Sequence, residues 1–155
     1  KRCNCTRLML DIKVKFFKDL TTQELYDILQ LRSEVFVVEQ DCVYQDIDSK
    51  DQKAIHVIGY KNNRVVAYTR IFKPGDYFAL ASIGRVVVSK IERENKYGYD
   101  IMEASINVIK ELFKENTIKI SAQCYLKKFY SNLGFKQLGE EYLEDGIPHI
   151  AMIKE

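Results

Sequence analysis

The chain has 155 residues, 46% hydrophobic, 30% charged and 12% aromatic. That is enough apolar mass for one domain with a buried core and too much for a disordered chain. Its apolar runs fall far short of the ~20 residues a membrane-spanning helix needs. The 24 basic and 22 acidic residues leave a formal charge of +2, which makes no general case for nucleic acid or a membrane surface as partner.

Met9 opens MLDIKVKFF, which reads as a start followed at once by a strand. Residues 1–8 are therefore expected to be an N-terminal extension or an expression remnant, with residues 9–155 as the single domain. Residues Ile12–Phe17 alternate as a strand does. Thr21 and Glu24 have the capping-box spacing and Leu20 and Leu25 the staple spacing, so a helix is predicted from Thr22 to about Phe36. A polar segment follows with the acids Glu39, Asp41, Asp46, Asp48 and Asp51. It is either a solvated loop or an attractor for a cationic substrate. Strands are predicted at Ala54–Tyr60 and Arg64–Phe72 around a Lys61-Asn62-Asn63 turn. Pro74-Gly75 breaks the chain before a strand at Ser82–Ser89. The triplet Val86-Val87-Val88 in it suggests a strand covered on both faces.

A charged loop, Lys90–Tyr97, leads through Gly98 into a helix ending near Asn116, with Ile101, Ser105, Val108, Ile109 and Leu112 on one face. Thr117–Ala122 reads as a strand and Tyr125–Leu133 as a short helix closed by Gly134. Two strands, Phe135–Tyr142 and Ile147–Ile153, flank Asp145-Gly146, a strong hairpin signal. Strands interleaved with helices make a mixed α/β domain. The four cysteines, Cys3, Cys5, Cys42 and Cys124, are too sparse for a disulfide scaffold. Cys3 and Cys5 lack further ligands at zinc spacing, so no metal is expected. Free thiols and the absence of an apolar leader segment in KRCNCTRLM point to a cytoplasmic protein.

Two stretches bear on chemistry. In IGRVVVSKIERENKYGYDIM a strand runs through a basic loop into a helix N-terminus, whose free N–H groups suit an anionic phosphate, with Arg93 and Lys96 beside it. In SAQCYLKKFYSNLGF, Tyr130 is a phenol able to donate a proton to a leaving group, or simply one of ten tyrosines.

Together these stretches resemble the GCN5-related N-acetyltransferase family, in which a Val-x-Val strand precedes an Arg/Gln-x-x-Gly-x-Gly/Ala loop around the acetyl-CoA pyrophosphate. Arg93 and Gly98 hold their places in that loop, and Lys96 stands where the middle glycine is usual. The later Asn-x-x-Ala-x-x-Phe-Tyr-x-x-x-Gly-Phe signature matches from Gln123 through Phe129-Tyr130 to Gly134-Phe135. Gln123 and Leu126 replace the Asn and Ala. LQLRSEVFVVEQDCVYQDIDSKD and EEYLEDGIPHIAM are similar to the ElaA-type subgroup, and the resemblance covers about residues 20–152.

The resemblance implies a mostly antiparallel central sheet flanked by helices and transfer of acetyl from acetyl-CoA to a primary amine by direct attack. It assigns the cofactor to Val86, Val87, Val88, Arg93, Glu94, Asn95, Lys96, Tyr97, Gly98, Tyr99 and Gln123, and the acid to Tyr130. The amide of Val88 is the candidate oxyanion donor. The base is open among Glu39, Asp46, Asp48, His56 and His149, with Glu39 and His149 preferred. Arg85 is expected to pair with an acid. The implied partners are acetyl-CoA and a small or peptide amine, and a homodimer is an option. The alternative is a catalytically silent acyl-CoA-binding module.

Overall fold

Among the described residues seven strands form one sheet: β1 (Asp11–Phe16), β2 (Ile55–Lys61), β3 (Arg64–Phe72), β4 (Ala81–Val88), β5 (Ile118–Gln123), β6 (Lys136–Glu144) and β7 (Ile147–Lys154), in the order β1-β2-β3-β4-β5-β7-β6. Only β4 and β5 pair in parallel; the other neighbours are antiparallel. Three α-helices accompany them: α1 (Thr22–Arg32), α2 (Tyr97–Val108) and α3 (Lys127–Asn132). The computed structural model describes residues 8–155. The Cys3–Cys5 pair and all but the last residue of the expected extension lie outside them.

Strand alternation divides the core between two faces. Val57 packs with Ile101, Met102, Ile120, Tyr130 and Phe135 on the side of α2 and α3, whereas its neighbour Ile58 packs with Ile28, Leu31, Val35, Tyr68 and Val87 on the side of α1. The sheet is therefore a middle layer, and the expected mixed, mostly antiparallel architecture is what the chain adopts.

The capping box forms as expected. The Glu24 amide donates to Thr21 Oγ1 at 3.1 Å and the Thr21 amide to Glu24 Oε1 at 2.9 Å. The helical body runs past Phe36, continuing as a π-helical stretch, Ser33–Glu39. α2 likewise passes into a π-helical turn, Ile109–Phe113. That wider turn breaks the 3.6-residue period, so Leu112, expected on the buried face, is 55% exposed.

β4 is where the sheet opens. It pairs with β5 only through Ala81↔Ile118 and Ser82↔Lys119, and the strands then diverge. Arg85 sits at φ +49, and the β3–β4 register shifts between Tyr68 and Arg70. This is a bulge that bends β4 away from its neighbour. The valine triplet is consequently not covered on both faces: Val87 is buried against α1, but Val86 and Val88 are half-buried and open onto the gap.

Candidate active site

The gap between β4 and β5 is a cleft of about 450 Å³. Its walls include Ile83–Val88 from β4, Ile120, Ser121 and Gln123 from β5, Gly98 and Tyr99 from α2, Phe129 and Tyr130 from α3, and Glu144, Ile147 and His149 from the β6–β7 hairpin. Beyond Ser82 the cleft-facing edge of β4 has no strand partner, so its backbone can hydrogen-bond a bound chain instead.

At one end stands the loop before α2. Residues Lys90–Asn95 make a 3₁₀ turn, and Lys96 closes it at φ +59, in the left-handed region that a glycine fills more easily. α2 then begins at Tyr97, and Gly98 and Tyr99 of its first turn line the cleft. Gly98 is required by close approach: a Cβ there would lie 3.2 Å from the Phe129 ring. Of the expected cofactor residues, Val86, Val87, Val88, Arg93, Lys96, Gly98, Tyr99 and Gln123 line the cleft. Glu94, Asn95 and Tyr97 do not. Asn95 donates to Glu92 at 2.8 Å, and the Tyr97 ring is buried with its hydroxyl on Leu8 O at 2.9 Å.

Two side-chain bridges cross the mouth. Arg93 grips Glu39 with both terminal nitrogens, at 2.6 and 2.5 Å. Gln40 and Gln123 exchange reciprocal amide hydrogen bonds at 3.2 and 3.1 Å. The hydrogen bonds and charge of Arg93 hold the Glu39 carboxyl below its usual range.

Tyr130 is buried, and burial pushes its phenol well above the ordinary tyrosine value, so it holds its proton at neutral pH. His149 lines the cleft from β7, its Nδ1 2.7 Å from Ile147 O and its Nε2 3.2 Å from Glu144 Oε2. Tyr142 stacks on the imidazole, centroids 6.2 Å apart.

Three of the five acids in the polar segment are neither solvated nor open to a cationic substrate. Asp46, Asp48 and Asp51 turn inward onto Arg32, Arg70 and Arg85. Arg32 Nε donates to Asp46 at 2.8 Å, Arg70 bridges Asp48 and Asp51 at 2.6–2.8 Å, and Arg85 lies 2.8 Å from Asp46. The expected acid partner of Arg85 is thus Asp46. Burial alone would raise Asp48 and Asp51, but the arginine hydrogen bonds and charges outweigh it and hold both well down. His56 is fully buried between Tyr68 OH (2.7 Å) and Asp51 O (2.9 Å), and burial lowers its pKa. It is a structural histidine.

Gln40, Ser121 and Glu144 were not singled out by the sequence. Of these, Glu144 was legible in principle. A two-residue Asp145-Gly146 turn sets Glu144 opposite Ile147 and Tyr142 opposite His149. Among the described residues no cluster suits a metal ion, and no helix is long and apolar enough to cross a membrane.

Comparison with known proteins agrees with this geometry. The acetyltransferase (GNAT) domain family matches residues 17–155. Protein ElaA of Escherichia coli is 42% identical over 88% of this chain and 91% of its own length. The crystal structure of Escherichia coli ElaA superposes with a TM-score of 0.88 over 95% of this chain and all of that one, at 40% identity. An acyl-CoA N-acyltransferase from Pseudomonas aeruginosa, 39% identical, gives 0.88 over 94% of this chain and all of its own.

Proposed function

The chain belongs to the acetyltransferase (GNAT) family, and from that premise we propose that it transfers an acetyl group from acetyl-CoA to a primary amine by direct attack. The observation that carries this reading is the parting of β4 from β5, with a helix N-terminus at one end of the gap and a buried phenol inside it. The α2 N-terminus, with Arg93 and Lys96, suits the pyrophosphate. The unpaired β4 edge at Val86–Val88 suits the amide-bearing pantetheine arm, and the Val88 amide is the donor proposed for the thioester oxygen.

Only a neutral amine attacks. The base takes a proton from the ammonium, and the nitrogen lone pair then forms a bond to the thioester carbon. The C–S bond breaks with its electron pair going to sulfur, and Tyr130 protonates the thiolate. The nitrogen's second proton leaves through solvent and restores Tyr130. Of the two preferred bases, His149 has the better geometry, since both Glu39 oxygens are engaged by Arg93.

The test is an amine and peptide screen with the purified protein, following N-acetylated product alongside CoA release. Product is expected, and Tyr130→Phe should lower kcat by roughly 10²-fold or more if Tyr130 is the acid. Thermal stabilisation by CoA with no product from any amine would instead identify a silent acyl-CoA-binding module.

A further inference from the structure

The carbonyl of Ile147 can only accept, so the 2.7 Å contact places the hydrogen of a neutral His149 on Nδ1. Nε2 is then a bare lone pair, 3.2 Å from Glu144 Oε2. In that neutral form Nε2 and Oε2 are both acceptors, and a hydrogen shared between them comes either from the imidazolium or from an outside donor. Both side chains line the cleft.

The surroundings hold them there. Ser121 Oγ lies 3.5 Å from Glu144 Oε2 and is also hydrogen-bonded to Tyr142 OH. Tyr142 in turn stacks on the imidazole. Arg85, a cation of the same cleft, is engaged by Asp46 and Asp48. Among the described residues Glu144 is paired with His149 and with no arginine or lysine.

We propose that Glu144 is the amine-binding residue of the acceptor site, seating a primary alkylammonium whose N–H groups donate to Glu144 and to Nε2 of His149 together. This rests on the transferase reading above and adds to it the residue that receives the acceptor. An ammonium supplies what the pair lacks: several hydrogens on one atom and a positive charge against the carboxylate. One N–H bond then breaks toward Nε2, the electron pair stays on the amine nitrogen for attack, and Glu144 balances the imidazolium formed. The proton passes from His149 to water after the transfer. Glu144 and Ser121 thus fix the imidazole and the amine in one geometry, which is what a transfer between bound partners requires.

The test compares the wild type with Glu144→Gln and Glu144→Asp, using acetyl-CoA and two probe amines. n-Butylamine is cationic at neutral pH; hydroxylamine is neutral. The glutamine amide can donate to Nε2 and close the seat. Glu144→Gln should lower kcat/KM for n-butylamine by roughly 10²-fold, the scale of a lost proton-transfer partner, with KM for acetyl-CoA unchanged. With hydroxylamine the loss should stay within about threefold, because no ammonium has to be seated or deprotonated. Glu144→Asp, which keeps the charge, should recover part of the n-butylamine rate. Equal rates of Glu144→Gln and wild type with n-butylamine would overturn the inference and leave the transferase reading standing. An equal loss with both amines would also overturn it, as the mark of a merely structural role. Product from the wild type with hydroxylamine but none with n-butylamine would overturn the inference alone, and product with neither probe would count against both.

Discussion

Lys96 occupies a left-handed backbone position, at φ +59, that costs a residue with a Cβ about 1 kcal/mol. The turn it closes sets the first N–H groups of α2 at the cleft, so the backbone shape of a glycine loop is kept while a positive side chain is added at its rim. Arg93 makes the same point differently. Its charge was legible in the sequence, but its partner was not, because Glu39 is 54 positions away and reaches it only when the helical body of α1 is extended by the π-helical stretch. The pair competes with any phosphate for the guanidinium. Glu39→Gln should therefore tighten acetyl-CoA binding by up to about fivefold, the range of a part-exposed ion pair, measured as KM or by calorimetry. A fall in kcat of roughly 10²-fold or more in the same variant would instead make Glu39 the base.

At the scale of elements, the segment joining α1 to β2 has little regular structure and is held by charge. Asp46, Asp48 and Asp51 pin it to arginines on α1, β3 and β4. The Asp48 and Asp51 carboxyls, and Glu24 at about 2 against an ordinary 4.5, are held low in the folded protein. A depressed carboxyl gives stability that is complete above its unfolded value and is lost as pH falls toward the folded one. His56 is also depressed, by burial, from 6.5. Below that pH the unfolded chain takes a proton that the folded one refuses, so stability falls there too. The melting temperature should decline gently below about pH 6.5 and steeply between about 4.5 and 2. A flat profile down to pH 3 would contradict this.

The strands and helices themselves were mostly legible, because hydrophobic period and turn chemistry are local. The capping box, the Asp145-Gly146 hairpin and the order of elements follow from such signals. The π-helical turns were not, since nothing local marks an extra residue in a turn, and Leu112 was misplaced for that reason. The inward turn of the aspartates was hidden because it depends on arginines brought together only by tertiary structure.

For the molecule as a whole, the sheet is two blocks, β1–β4 and β5–β7, joined in register at only two residue pairs. A chain bound along the β4 edge would supply hydrogen bonds where a strand partner is missing. Acetyl-CoA at about a hundredfold excess over its Kd should add roughly 2.7 kcal/mol, a rise in Tm on the order of 5–10 °C for a domain of this size. Hydrogen exchange should localise part of that protection to Ile83–Val88. Stabilisation without any protection of that segment would mean that the cofactor lies elsewhere.

The interlocked arginines and aspartates also constrain how the sequence can drift. Replacing any one member strands an opposite charge in the interior, at a cost of roughly 3–5 kcal/mol, a large share of what a small domain has to lose. Arg32, Arg70, Asp46 and Asp51 can therefore change only in compensating pairs. In a population of related sequences they should appear either fixed together or exchanged together, and the apparently loose loop that carries the aspartates should be among the slowest parts of the chain to evolve.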